Sequence, residues 1–289
     1  SMFSIIGLVG VIVIIFGVFL LEGGHFEVLA EAAPMEFAMI FGSAVAAQLV
    51  AQDLSGLMKM GGGVPMVVAG PKWKKQDYQD LLALLFQLTK LMKTKGVVAL
   101  EAHIEKPDES TIFQKYPKIL KDHHVTHFIC DTLRMMTMNL DDPHQVEDAM
   151  EKQLEKHHHE ELSAAHALQN MADGLPALGI VAAVLGIVKT MGHINEPPEV
   201  LGLMIGKALV GTFLGVLLAY GFVGPLASRL NAIIEHDAQF YKIIRDVLVA
   251  HLHGNAAQVS VEIGRGSVPT HLQPSFAQLE EALAAAAEG

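Results

Sequence analysis

Cysteine occurs once in the 289 residues, tryptophan once and tyrosine four times. A lone Cys130 excludes a disulfide framework and leaves no Cys pair for a zinc site, so it reads as a small buried side chain. There is no GxxxxGK[ST] loop to seat a nucleotide and no HExxH helix to hold a catalytic zinc. The formal net charge of −11 comes with no basic face, which excludes nucleic acid as a partner. No cationic segment precedes the first apolar run, which is also too long for a signal peptide. Lys and Arg are absent from residues 22–34 and again from 192–200.

What the chain has is apolar length. Residues AVILMFWYC make up 51% of it, concentrated in Phe3–Leu21, about Met35–Ala51, Leu175–Val188 (extending to about Met191) and Leu201–Val223. A bilayer core needs roughly 20 apolar residues per helix, so these read as four transmembrane helices. Lys59, Lys72, Lys74, Lys75, Lys90 and Lys93 crowd the stretch between spans two and three, and Arg229, Lys242, Arg245 and Arg265 follow span four. The positive-inside rule then places both termini and the long insert in the cytoplasm. The expectation is an all-α membrane protein with a cytoplasmic helical domain inserted between spans two and three. Its divisions are 3–52 (spans one and two), 53–173 (the insert), 174–227 (spans three and four) and 228–289 (a cytoplasmic C-terminal helix and tail). Gly61–Gly63, Pro65 and Gly70-Pro71 predict a turn-rich connection after span two. Helices are predicted over about 75–95, ending at Gly96, then 97–106, 117–139 and 144–171, the last with an acidic start at Asp141-Asp142-Pro143. Ala284–Glu288 is low in complexity and reads as frayed or weakly helical.

The spans carry most of the functional information. Gly202 with Gly206, Gly211 with Gly215, Gly179 with Ala183, and Ala182 with Gly186 form rows of small residues at i, i+4 that let helices approach closely in lipid. Pro176 opens span three and Pro225 closes span four, and a proline there removes a backbone hydrogen bond and permits bending. Thr212 and Tyr220 are the polar groups of span four. Span two reads as uncharged after Glu36, and no Asp or Glu falls at mid-membrane in any span. A carboxylate for ion transfer would therefore have to come from another chain. The histidines His123, His124, His127 and His157–His159 include an i, i+4 pair but no third ligand or carboxylate in register, so surface histidines are the better reading than a metal site.

At this point the text resembles a known family. LPALGIVAAVLGIV (Leu175–Val188) and VGTFLGVLLAYGFVGPLA (Val210–Ala227) are similar to the A subunit of the bacterial flagellar motor stator, the MotA family. The resemblance continues at LLALLFQLTKLMKTKGVVALE (Leu81–Glu101) with Ile104, Glu105 and Pro107, and in the tail at Val261–Arg265 and Pro274-Ser275-Phe276. It implies a torque-generating, proton-conducting subunit of the inner membrane, with no cofactor and no enzymatic activity. In the family, five A subunits surround two helices of a B subunit that supplies an essential aspartate, so a homopentamer and that partner are expected. The resemblance makes Pro176 and Pro225 the functional prolines, and Lys93 and Glu101 the residues that contact the rotor's switch-complex protein. The family often has Arg at the place of Lys93, and lysine keeps the charge without the bidentate fork. Sodium-type relatives carry threonine at the positions of Ala183 and Gly211; the missing side-chain oxygens favour the proton as the coupling ion. Two alternatives stand beside this. One is an energy-transducing proton-channel subunit that powers outer-membrane transport, which typically has three spans. The other is a membrane metalloenzyme using the histidines.

Overall fold

The computed structural model describes residues 1–138 and 142–287. Asn139, Asp141 and Glu288, which belong to features expected from the sequence, lie outside the described residues. Among the described residues there are helices and no strands. Two compact units emerge, one of Ser1–Gly70 with Glu160–Ile234 and one of Pro71–His159 with Glu235–Gly289.

The first unit holds the apolar helices. Four are long and apolar enough to cross a membrane. Helix α1 (Met2–Leu21) has 20 residues, about 30 Å at 1.5 Å per residue, which matches the hydrocarbon thickness. None of its side chains is buried within the chain, as expected of a helix whose surroundings are lipid or other chains. Helix α2 runs Glu27–Ala51, so the second span begins earlier than Met35 and Glu36 lies inside it. That corrects the start of span two, which the sequence put at about Met35, and moves Glu36 from its edge to its interior. Helix α3 (Leu54–Ala69) replaces the predicted turn-rich connection: Gly61, Gly62, Gly63 and Pro65 are all helical. Asp53 caps it by accepting the Gly56 amide at 2.7 Å, a side-chain cap for an otherwise orphan donor. Gly63 abuts the Leu230 side chain, with no room for a methyl between them. Packing thus overrides a glycine-rich segment's weak helix propensity. The unit's core gathers Ile40 and Ala44 of α2, Val67 of α3, and a ladder of alanines and larger apolar residues on the later helices.

Those later helices are long. Helix α7 runs unbroken from Pro143 to Met191, so the predicted 144–171 helix leads into span three without interruption. Helix α8 (Pro198–Leu217) passes through a π turn, Leu218–Val223, into α9 (Gly224–Leu252). Pro225 therefore does not end a helix, as the sequence suggested, but sits in the first turn of α9.

The second unit is a helical bundle with its own core. Helix α4 spans Lys75–Ile104 with a break at Gly96, whose φ of 80° and ψ of −177° are essentially restricted to glycine. A short α5 (Pro117–Leu120) and α6 (His123–Thr137) take the place of one continuous 117–139 helix. Asp122 makes the break between them: its carboxylate caps α6 by accepting the Val125 amide at 3.0 Å. Helices α10 (Ala257–Ser267) and α11 (Phe276–Ala287) both pack on α4. The C-terminal segment is docked rather than frayed: Leu279 and Leu283 are buried, and Gln87 donates to the Ala286 carbonyl at 2.6 Å. The single tryptophan, Trp73, stacks on Phe240 with ring centres 4.0 Å apart. Burial pushes the Cys130 thiol up to about 12, consistent with a packing role.

Asp122 also pairs with Lys72. Burial alone would raise its pKa, but the Lys72 hydrogen bond and the Val125 amide bring it below the ordinary 3.8. A depressed carboxylate stabilises the fold above its ordinary pKa and loses that contribution as pH falls through the lower, folded value. Asp122→Ala is expected to cost about 1–2 kcal/mol through loss of the cap, and to flatten the acid limb of a thermal-melt series against pH. A mutant melting like the native chain throughout would deny Asp122 this role.

Candidate functional site

In the first unit α7 and α8 approach each other closely, and the approach is made by glycine. A Cβ on Gly215 would stand 2.7 Å from the Leu175 carbonyl oxygen and 2.8 Å from the Gly179 Cα. One on Gly179 would stand 2.8 Å from the Gly211 oxygen, and one on Gly186 would meet Ala208 at 2.7 Å. These are distances that no side chain tolerates, and most of the obstructing atoms are backbone. The two helices therefore touch main chain to main chain from Leu175 to Gly186, as small-residue rows allow in lipid. By contrast Gly202 has open space around it, and Gly206 is in ordinary contact with Val28.

The sequence-predicted residues distribute around this crossing unevenly. Pro176 lies within α7 one residue past Leu175, half-buried beside the Gly215 contact. Its ring cannot accept the usual i, i+4 pattern, so the Ala172 carbonyl lacks its helical donor. Ala183 is half-buried, and its backbone nitrogen would be 3.1 Å from a Cβ on Gly211. Thr212, next to Gly211, is half-buried, whereas Tyr220 is 71% exposed and Pro225 is exposed. Tyr220 belongs to the π turn, in which the Gly224 amide reaches the Ala219 carbonyl. A π turn opens the helix by one residue and relieves the ring–carbonyl clash that Pro225 would cause in a regular helix. The sequence offered no sign of the π turn beyond that proline.

One participant was not anticipated. Glu36 of α2 projects to the crossing, its Oε2 2.9 Å from where a Gly211 Cβ would be. The signal was present in the sequence, but the span boundary drawn at Met35 put this residue at the edge.

In the second unit, Lys93 and Glu101 flank the Gly96 break of α4, and both side chains are exposed. Neither forms an ion pair within 4 Å among the described residues. The Lys93 charge, after burial, contributes to holding the His251 pKa below its ordinary value. The histidines scatter into local contacts: His124 lies 5.0 Å from His157 between ring centres, and His158 reaches Glu235 at 3.1 Å. Among the described residues no three His, Cys, Asp or Glu side chains gather as a metal would require.

Comparison with known proteins adds to this geometry. Residues 5–96 match the family described as Motility protein A N-terminal, and residues 120–242 match the MotA/TolQ/ExbB proton channel family. Motility protein A of Salmonella typhimurium is 37% identical over 97% of this chain and 94% of its own length. Among solved structures, the C. jejuni MotAB structure has a TM-score of 0.74 at 17% identity, covering 93% of this chain and 96% of that one. The flagellar MotAB stator complex from Bacillus subtilis gives 0.72 at 20% identity, covering 98% and 100%. The glycine-lined crossing, the four apolar helices and the near full-length likeness agree, and this chain belongs to the MotA family of flagellar motor stator subunits.

Proposed function

We propose that the chain works as the A subunit of a proton-driven stator, in a homopentamer around a B subunit whose aspartate carries the proton through the membrane. The observation that carries this reading is the α7–α8 crossing, a close main-chain contact with Pro176 at one end and Thr212 and Ala183 within it. Proton transfer at a partner carboxylate beside this crossing would bias a small shift between the two helices. A helix that is unbroken from Pro143 to Met191 is a stiff element through which such a shift can travel. Ala183 and Gly211 supply no side-chain oxygen with which to replace sodium's water, which favours the proton.

The second unit is assigned to the cytoplasm by its Lys and Arg, and the termini with it, while the loops at 22–26 and 192–197, which have neither, are assigned to the outer side. Lys93 and Glu101 are then available to the rotor, presented on either side of a break that only glycine permits. Exposed charges steer and register a contact more than they hold it. Lys93→Glu should therefore lower torque by roughly two- to fivefold, the range of an exposed ion pair, without abolishing rotation. Torque equal to the native chain's, measured on tethered beads, would return Lys93 to plain solvated surface.

The reading as a whole is tested by deleting the gene in its host and scoring filaments and rotation together. Intact filaments that do not turn, restored by the gene supplied in trans, are the expected result. Normal rotation under load with a defect in outer-membrane uptake would favour the transport-energising alternative.

A further inference from the structure

The membrane-spanning part of this chain contains a carboxylate of its own, placed where the helices meet. Glu36 lies well inside α2, and its Oε2 is buried with no hydrogen-bond partner among the described residues. It abuts Gly211 of α8, which has no side chain to offer, and Ala182 and the Ala183 amide of α7 also converge within 3.1 Å of the same point. Five residues earlier on α2, Glu31 pairs with Lys207 of α8 at 2.5 Å. The two helices run in the same direction, so Glu36 follows the Glu31–Lys207 pair by about 7.5 Å along the span. These three are the charged groups around the station: α7 has none between Asp173 and Lys189, and α8 has none from Ala208 to Leu217. An unpaired carboxylate in a lipid-spanning segment is expensive, and such groups mark proton relays more often than packing.

We propose that Glu36 is a proton-carrying station of the ion path, held against the bare Gly211 backbone at the junction of α2, α7 and α8. Its Oε2 accepts a proton from a hydronium ion on the Glu31–Lys207 side, which leaves as water, and the O–H bond of a neutral acid forms. That bond breaks again when the proton passes to an acceptor on the partner chain, and no electrons change hands. The inference rests on the stator reading above, since a path needs a channel.

The test uses the full chain co-expressed with its B-type partner in a host lacking its own stator. With Glu36→Gln present in the membrane at native levels, rotation speed should fall by about a hundredfold, the low end of what a positioned proton-transfer group contributes. Infrared spectra of the purified complex should lose a protonated-carboxyl band that the native complex shows. Glu36→Gln turning at native speed at every external pH would overturn the proposal. Should glutamine prevent insertion, Glu36→Asp decides: it keeps the acid but withdraws it from Gly211 by one methylene, so slowed rotation supports the station and native speed overturns it. Failure of the native chain itself to drive rotation in that host would sink the stator reading instead, and so is distinguishable.

Discussion

Gly215→Ala is expected to abolish rotation by preventing the α7–α8 crossing from closing. The added methyl would meet the Leu175 oxygen at 2.7 Å and the Gly179 Cα at 2.8 Å. Both are main-chain atoms, so no rotamer change relieves the contact and the helices must separate. Overpacking of this kind costs about 1–3 kcal/mol or more, and in lipid no hydrophobic force pulls the pair back together. The variant should show reduced complex yield in the membrane and no torque. Gly202→Ala is the matched control, because nothing lies within 4 Å of that position, and it should behave as the native chain does. Equal motility in both variants would mean that the close approach is not needed for function.

The second large effect is expected at Pro176, and it runs opposite to stability. A proline within a helix costs about 3 kcal/mol relative to alanine, through the missing donor and the clash with the preceding turn. Pro176→Ala restores the bond to the Ala172 carbonyl in the middle of α7. The variant should insert normally and resist thermal unfolding at least as well as the native chain, while rotation slows severely or stops. Stability that helps and function that fails would together identify the proline as a bending point. Normal torque would remove that role, and a poorly inserted variant would show that the ring is needed for packing instead.

Much of this is legible in the sequence. The spans could be read because lipid demands long uncharged runs, and the glycine rows because their spacing puts them on one helix face. Gly96 was recognisable as a break, since charged and apolar periodicity restarts after it. Other features depended on tertiary contacts that local pattern does not encode. Three consecutive glycines and Pro65 look like a turn until Leu230 is seen packed on Gly63. The alanine-rich tail looks frayed until Leu279 and Leu283, four apart on one face, are found buried against α4. Gly202 and Gly215 read alike in sequence, and only the neighbouring helix separates an open position from an obstructed one. Glu36 reads as the edge of its span for a simpler reason: residues 27–34 are less apolar than those that follow, so hydropathy draws the boundary too late.

The π turn at Leu218–Val223 has a consequence for how this chain can change over time. A π turn is equivalent to one residue inserted into a regular helix, and each residue of a regular helix advances the azimuth by about 100°. The turn therefore sets the rotational phase of the part of α9 that belongs to the first unit, including which of its faces carries Leu230 and Ile234. Deleting a single residue there would give a more regular helix with every downstream side chain pointing elsewhere. A length change of one residue is thus forbidden in this stretch, while substitutions that keep the count remain open to it.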